Sequence, residues 1–216
     1  MRLNYASTAL VIVDMQYGDA HRDYGLLKSK REAGDVETVE RYATRLDDLV
    51  IPNIQRLQKA FRSNGGEVIF IRIESLTMDG RDRGAGHRER GIHFPPGSKE
   101  GQILDDIGPL GDELVLSKTC GSAFAGTNID YLLRNMQRDH LVMVGVVTGS
   151  CVRATTLDAL ERGYTTFVVD DATATWNDEM QASAIETMRE RGAEIVVTHE
   201  VLGHVAGGQV VGARHT

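Results

Sequence analysis

The sequence predicts a single α/β domain: a parallel β-sheet with helices packed on both of its faces. Three observations carry this. Six short runs are continuously apolar or β-branched, as in strands buried on both faces. Segments of helical periodicity lie between them, which is the rhythm of right-handed βαβ crossovers. Finally, the 216 residues contain no internal repeat, low-complexity tract or interdomain linker, so residues 1–216 are read as one domain around one core.

The elements follow in order. Ala9–Val13 (ALVIV) is the first strand, stopped by Asp14. Leu46, Leu49, Val50, Ile54, Leu57 and Phe61 form one apolar helical stripe, with Pro52 either kinking it or sitting in a first turn. Gly65-Gly66 closes that helix ahead of the second strand, Val68–Ile73. Leu114–Leu116 is the third. Ile129, Leu132, Leu133 and Met136 keep helical spacing, and Thr127-x-x-Asp130 reads as a capping box in front of them. The fourth and strongest strand is Leu141–Val147, followed by a helix from Val152 to Leu160 that ends at Gly163. Thr165–Val169 is the fifth strand. A stripe of Met180, Ala184, Ile185 and Met188 marks the last helix, ending at Gly192, and Glu194–Thr198 is the sixth strand. Two polar, glycine-rich stretches break the rhythm, residues 17–40 and 76–102. Each follows a strand's C-terminal end, where open α/β sheets place their sites, so both are read as covers over a pocket.

Charge narrows the function. Lys and Arg number 24 against 31 Asp and Glu, a formal charge of −7, which disfavours a nucleic-acid surface. The most basic stretch, Arg81 to Arg90, is interleaved with Asp82 and Glu89 and reads as a solvated loop. The longest apolar run, Leu141–Val147, is too short to span a bilayer, and no targeting segment is read at the N-terminus, so no membrane partner is expected. Two cysteines, Cys120 and Cys151, make no disulfide framework, and a reducing, cytoplasmic setting is the default.

Three side chains stand where chemistry is done. Cys151 follows the fourth strand and opens a helical pattern, a place where the helix dipole is expected to lower the thiol pKa. Asp14 ends the first strand, and Lys118 follows the third. An acid, a lysine and a thiol after three different strands at one sheet rim are the layout of a shared site.

These residues also carry a resemblance. Val13-Asp14-Met15-Gln16, Lys118 ahead of Ser122-Ala123-Phe124 and Gly126-Thr127, and the run from Gly145 to Val152 around Cys151 resemble the isochorismatase-like cysteine hydrolases. The likeness extends through Asp130 to Gly145 and through Asp158 to Tyr164, and so over nearly the whole chain. It implies a six-stranded sheet in the order 3-2-1-4-5-6. It also implies Cys151 as nucleophile, Asp14 as its base and Lys118 as third member. The backbone N–H groups of Val147 and Cys151 would form the oxyanion hole, beside a cis peptide at Val146–Val147. Tyr17, Glu74, Phe124 and Trp176 are the candidate substrate contacts, and Gln16 is assigned a structural role. Cys120 lies near Lys118 but not at the nucleophile's position.

The resemblance further implies a small amide or ureide substrate, cleaved at a C–N bond through a covalent thioester. It implies no cofactor and a homo-oligomer, a dimer or tetramer. The metal-binding Asp and two His of nicotinamidases have no counterpart after the second strand, where Arg72-Ile73-Glu74 stands, and His87 and His93 lack ligand spacing, so no metal is expected. Two alternatives stay open: a metal-free hydrolase of an ether or ester, and a redox-sensing thiol protein on the same scaffold.

Overall fold

The computed structural model describes residues 3–203. Strand β1 (Thr8–Val13) is followed by the short helix α1 (Tyr17–Ala20), then α2 (Gly25–Glu32), α3 (Val36–Arg45) and α4 (Ile51–Ser63). Next come β2 (Glu67–Ile73), α5 (Ala85–Glu89), β3 (Leu114–Lys118), α6 (Ala123–Gly126), α7 (Ile129–Asn135) and β4 (His140–Val146). The chain continues through α8 (Arg153–Glu161), β5 (Thr165–Ala174), α9 (Asp178–Glu190), β6 (Glu194–Val196) and α10 (Thr198–Gly203). The strands form one parallel sheet in the order β3-β2-β1-β4-β5-β6. This is the architecture that the sequence and its resemblance predict.

Because strand side chains alternate, β1 divides its residues between two cores. Leu10 and Ile12 join Leu46, Val50, Ile54, Leu57 and Phe61 on the α4 face. Val11 and Val13 join Ile129, Leu133, Val152, Ile185 and Met188 on the α7–α9 face. Burial on both faces is why these strands read as unbroken apolar runs. No described helix is long and apolar enough to cross a membrane.

Local differences from the sequence reading have physical causes. Pro52 lies in the first turn of α4, and the chain reaches it without a break from α3 through a π-helical turn, Leu46–Val50. The Ile51 N–H bonds to the Leu46 carbonyl, widening the helix where a proline would otherwise meet the preceding turn. The expected capping box does not form. The Thr127 hydroxyl accepts the Ile129 N–H at 3.1 Å, while Asp130 takes the Tyr164 hydroxyl at 2.7 Å. On α9 the inward position is Gln181 rather than Met180, which is 46% exposed. Strand β6 stops at Val196, because the N–H and hydroxyl of Thr198 bond to Asp171 at 2.7 and 2.8 Å and start α10. Strand β5 continues to Ala174 past a register shift against β4.

The two polar stretches differ from each other: residues 17–40 are largely helical, whereas 76–102 contain only α5. They are tied together, with Tyr17 N–H bonding to Gln102 O and Gly18 N–H to Glu100 O, both at 2.9 Å. Gln16 is the clasp. Its side chain donates to Ile73 O and Glu100 O and accepts the Ile73 N–H at 2.6 Å, joining β2 to both stretches.

Candidate active site

The site lies where β1, β3 and β4 end. Asp14 leaves β1 with φ 51°, a left-handed conformation that aspartate tolerates better than most residues, and its N–H is held by Ile71 O at 2.8 Å. Neighbouring Gly145 (φ 107°) is obligatory, because a Cβ there would lie 2.1 Å from Val13 O and push β4 off β1. Lys118 ends β3, and Gly126 lets α6 pack directly on it; a Cβ at Gly126 would come within 2.9 Å of both Lys118 Cβ and Cys120 Sγ. Ser122 caps α6 through the Phe124 N–H at 3.2 Å and donates to Asp158 at 2.5 Å, anchoring the segment to α8.

Cys151 sits in a π-helical turn, Thr148–Val152, between β4 and α8. The peptide from Val146 to Val147 is cis, and Val147 lies outside the strand. Gln181 pins this turn. It accepts the Thr148 hydroxyl at 2.8 Å and donates to Asp170 and Thr173 at 2.7 and 3.0 Å.

At the centre, Lys118 Nζ donates to Asp14 Oδ2 at 2.9 Å, to Cys151 Sγ at 3.3 Å and to Cys120 O at 3.1 Å. All three side chains are buried, Lys118 completely. Burial opposes the charged lysine, yet Asp14 and Cys151 outweigh it and the Lys118 pKa is raised. Asp14 is also raised, by burial, with Lys118 and Cys151 pulling the other way. The Cys151 thiol is pushed up to about 12, chiefly by burial, with Lys118 lowering it and Asp14 and Asp19 adding to the rise. This corrects the sequence expectation of a lowered pKa, because loss of water outweighs the turn of helix behind the thiol. The resting site therefore holds a charged Lys118 between the Asp14 carboxyl group and a protonated Cys151 thiol.

The other predicted residues are placed as follows. Phe124 lies in the same apolar cluster as Cys151 and packs on Tyr164, ring centroids 5.5 Å apart. Tyr17 donates to Asp105 at 2.9 Å, and the Lys99 ammonium lies 3.6 Å from its ring centroid. The Glu74 carboxylate is taken up by Arg72, by the Ser117 hydroxyl at 3.1 Å and by the Gly97 N–H at 3.2 Å. Trp176 is half-buried and stacks on Tyr42 at 4.7 Å, and the charges of Asp14 and Cys151 both reach the Tyr42 phenol. Two residues near the site escaped the sequence reading, Asp19 and Tyr42. Both fall near or within a polar stretch where periodicity offers no signal.

Among the described residues, no three His, Cys, Asp or Glu side chains gather into a group that could hold a metal ion. His87, on α5, is buried with neither ring nitrogen hydrogen-bonded. Burial, with the charges of Lys118, Arg90 and Arg83, lowers its pKa from 6.5 to about 4. The unfolded chain therefore binds a proton between those values that the native protein does not, and stability falls as pH drops through that window. His87→Leu is expected to remove on the order of 2–3 kcal/mol from the stability lost between about pH 7 and 4. Urea unfolding of both proteins across that range checks this; identical pH slopes would refute it.

The isochorismatase domain model matches residues 8–200. The chain belongs to the isochorismatase family. It is similar to N-carbamoylsarcosine amidase of an Arthrobacter species, 32% identical over 125 residues, which cover 54% of this chain and 46% of that enzyme. The match therefore spans less than half of that relative's length. Ureidoacrylate amidohydrolase of Serratia proteamaculans is 29% identical over 182 residues, covering 77% of this chain and 69% of that one. A cysteine hydrolase from Pseudomonas syringae pv. phaseolicola shares the fold, with TM-score 0.81, 22% identity and 95% coverage of both chains. The isochorismatase-family chain is thus a member of a hydrolase family that includes amidases.

Proposed function

We propose that this protein hydrolyses a C–N bond of a small amide or ureide through a thioester on Cys151. The observation that carries the reading is the single ammonium of Lys118, hydrogen-bonded in the protein interior to both the Asp14 carboxyl group and the Cys151 thiol. A protonated thiol is a poor nucleophile and needs a base beside it. Asp14 takes the thiol proton as Sγ attacks the substrate carbonyl, and Lys118 stabilises the thiolate that forms. The N–H groups of Val147 and Cys151 receive the oxyanion. When the C–N bond breaks, Asp14 returns the proton to the departing nitrogen, which leaves as ammonia or an amine. Water then attacks the thioester carbonyl and gives its proton to Asp14. The carbonyl product departs as the Cys151 thiol is restored.

The amidases among the relatives support C–N cleavage over the ether or ester alternative. Incubation with biuret, triuret, N-carbamoyl amino acids, ureidoacrylate and nicotinamide is expected to release ammonia from at least one ureide. Ester cleavage without ammonia release from any amide would overturn the reading.

A further inference from the structure

We infer that the Asp19 carboxyl is a recognition group of this same site, holding an uncharged amide or ureide end of the substrate and disfavouring a carboxylate there. The inference rests on the amide reading above and narrows it to a substrate class.

Asp19 stands on α1, five residues beyond Asp14, and is 3% exposed. Its main chain is fully used: the N–H bonds to Gln16 O at 3.2 Å, and the carbonyl accepts the buried Tyr42 hydroxyl at 3.3 Å. Its side chain is not. No hydrogen bond to the carboxyl is made among the described residues, and Oδ2 is enclosed without a partner. A buried acid that bonds to nothing works against folding, so the fold gives no reason for a carboxyl here. Its surroundings give one. Asp19 is near enough to the site for the charges of Asp14 and Lys118 to act on it and for its own to act on Cys151.

Charge decides what it receives. Burial and the neighbouring Asp14 raise the Asp19 pKa well above the usual carboxylate range, with Lys118 opposing, which favours its protonated form. A neutral carboxyl presents one O–H donor and one carbonyl acceptor side by side. That pair matches the C=O and N–H of a primary amide or a ureide, which can meet it with two hydrogen bonds. A substrate carboxylate would instead need a cation. Lys118 is the only buried Lys or Arg among the described residues, and it is already shared by Asp14, Cys151 and the Cys120 carbonyl.

The test is binding, read separately from turnover. In Cys151→Ala protein, calorimetry with biuret and with N-carbamoylglycine compares an uncharged ureide with a carboxylate-bearing one. Biuret is expected to bind roughly tenfold more tightly or better. Adding Asp19→Leu should weaken biuret by about tenfold, whereas Asp19→Asn, which keeps a donor and an acceptor, should stay within about threefold. The melting temperature of the Asp19→Leu protein should equal or exceed its parent's, which a structural role for the acid would not allow. Unchanged biuret binding in Asp19→Leu, tighter binding of N-carbamoylglycine, or binding of neither ligand would overturn the inference. If Asp19→Leu does not fold, the Asp19→Asn result and the selectivity of the parent still decide it. Selective biuret binding without ammonia release by the wild-type protein would sink the amide reading alone.

Discussion

Cys151→Ala is expected to reduce ammonia release by about four decades or more, the scale on which loss of an enzymic nucleophile is felt. Cys120→Ala should keep most of the activity. The contrast is sharp because the two thiols are close yet differently engaged. Lys118 donates to the Cys151 sulfur but to the main-chain carbonyl of Cys120, whose own sulfur lies 3.4 Å from Ser122 O. Acid quenching during turnover, followed by intact-mass measurement, should find the acyl adduct on the wild-type and Cys120→Ala proteins and not on Cys151→Ala. Full turnover in Cys151→Ala would end the thioester mechanism. Equal loss in both variants would leave the nucleophile unassigned.

The thiol and the acid could be located in the sequence because each follows a long apolar run, β4 and β1, buried almost throughout, whereas the lysine ends the short, half-buried edge strand β3. A run buried on both faces ends abruptly, and the first polar residue after it marks the sheet rim. Lys118 lay just past the run that the sequence read as Leu114–Leu116, and the strand in fact reaches it. Three other features were not legible, for separate reasons. Gln181 differs by one position from the apolar stripe that periodicity drew through Met180, and a helical wheel does not separate two neighbours when one is a polar residue bonded inside the core. The π-helical turns at Leu46–Val50 and Thr148–Val152 rest on i to i+5 backbone hydrogen bonds, which leave no residue pattern. The direction of the Cys151 pKa depends on the depth of the site. The sequence displays the helix behind the thiol but not the absence of water around it.

That depth governs what is expected of Asp14 and Lys118 in the proposed mechanism. Asp14→Asn keeps the shape of the side chain and removes the base, so turnover should fall by roughly two to four decades, the usual size of a general-base contribution. The pH profile should change as well. In the wild-type protein the thiol and Asp14 together hold one proton, which can sit on either group, and Lys118 favours the state with one negative charge on the pair. Burial raises both pKa values, so the pair keeps this proton until the thiol titrates toward about 12, and acidification adds a second one through Asp14. Activity should therefore be level from neutral to moderately alkaline pH and fall on acidification as Asp14 takes a second proton for the pair. The acid limb should vanish in Asp14→Asn. Lys118→Met separates charge from chemistry. It leaves Asp14 buried without its 2.9 Å partner, and breaking a buried pair in this way costs about 3–5 kcal/mol. Lys118→Met should consequently lose both stability and turnover, while Asp14→Asn loses turnover by the larger factor. A few-fold effect in folded Asp14→Asn protein, with the acid limb unchanged, would make Asp14 a turn residue and leave the proton transfer to another group.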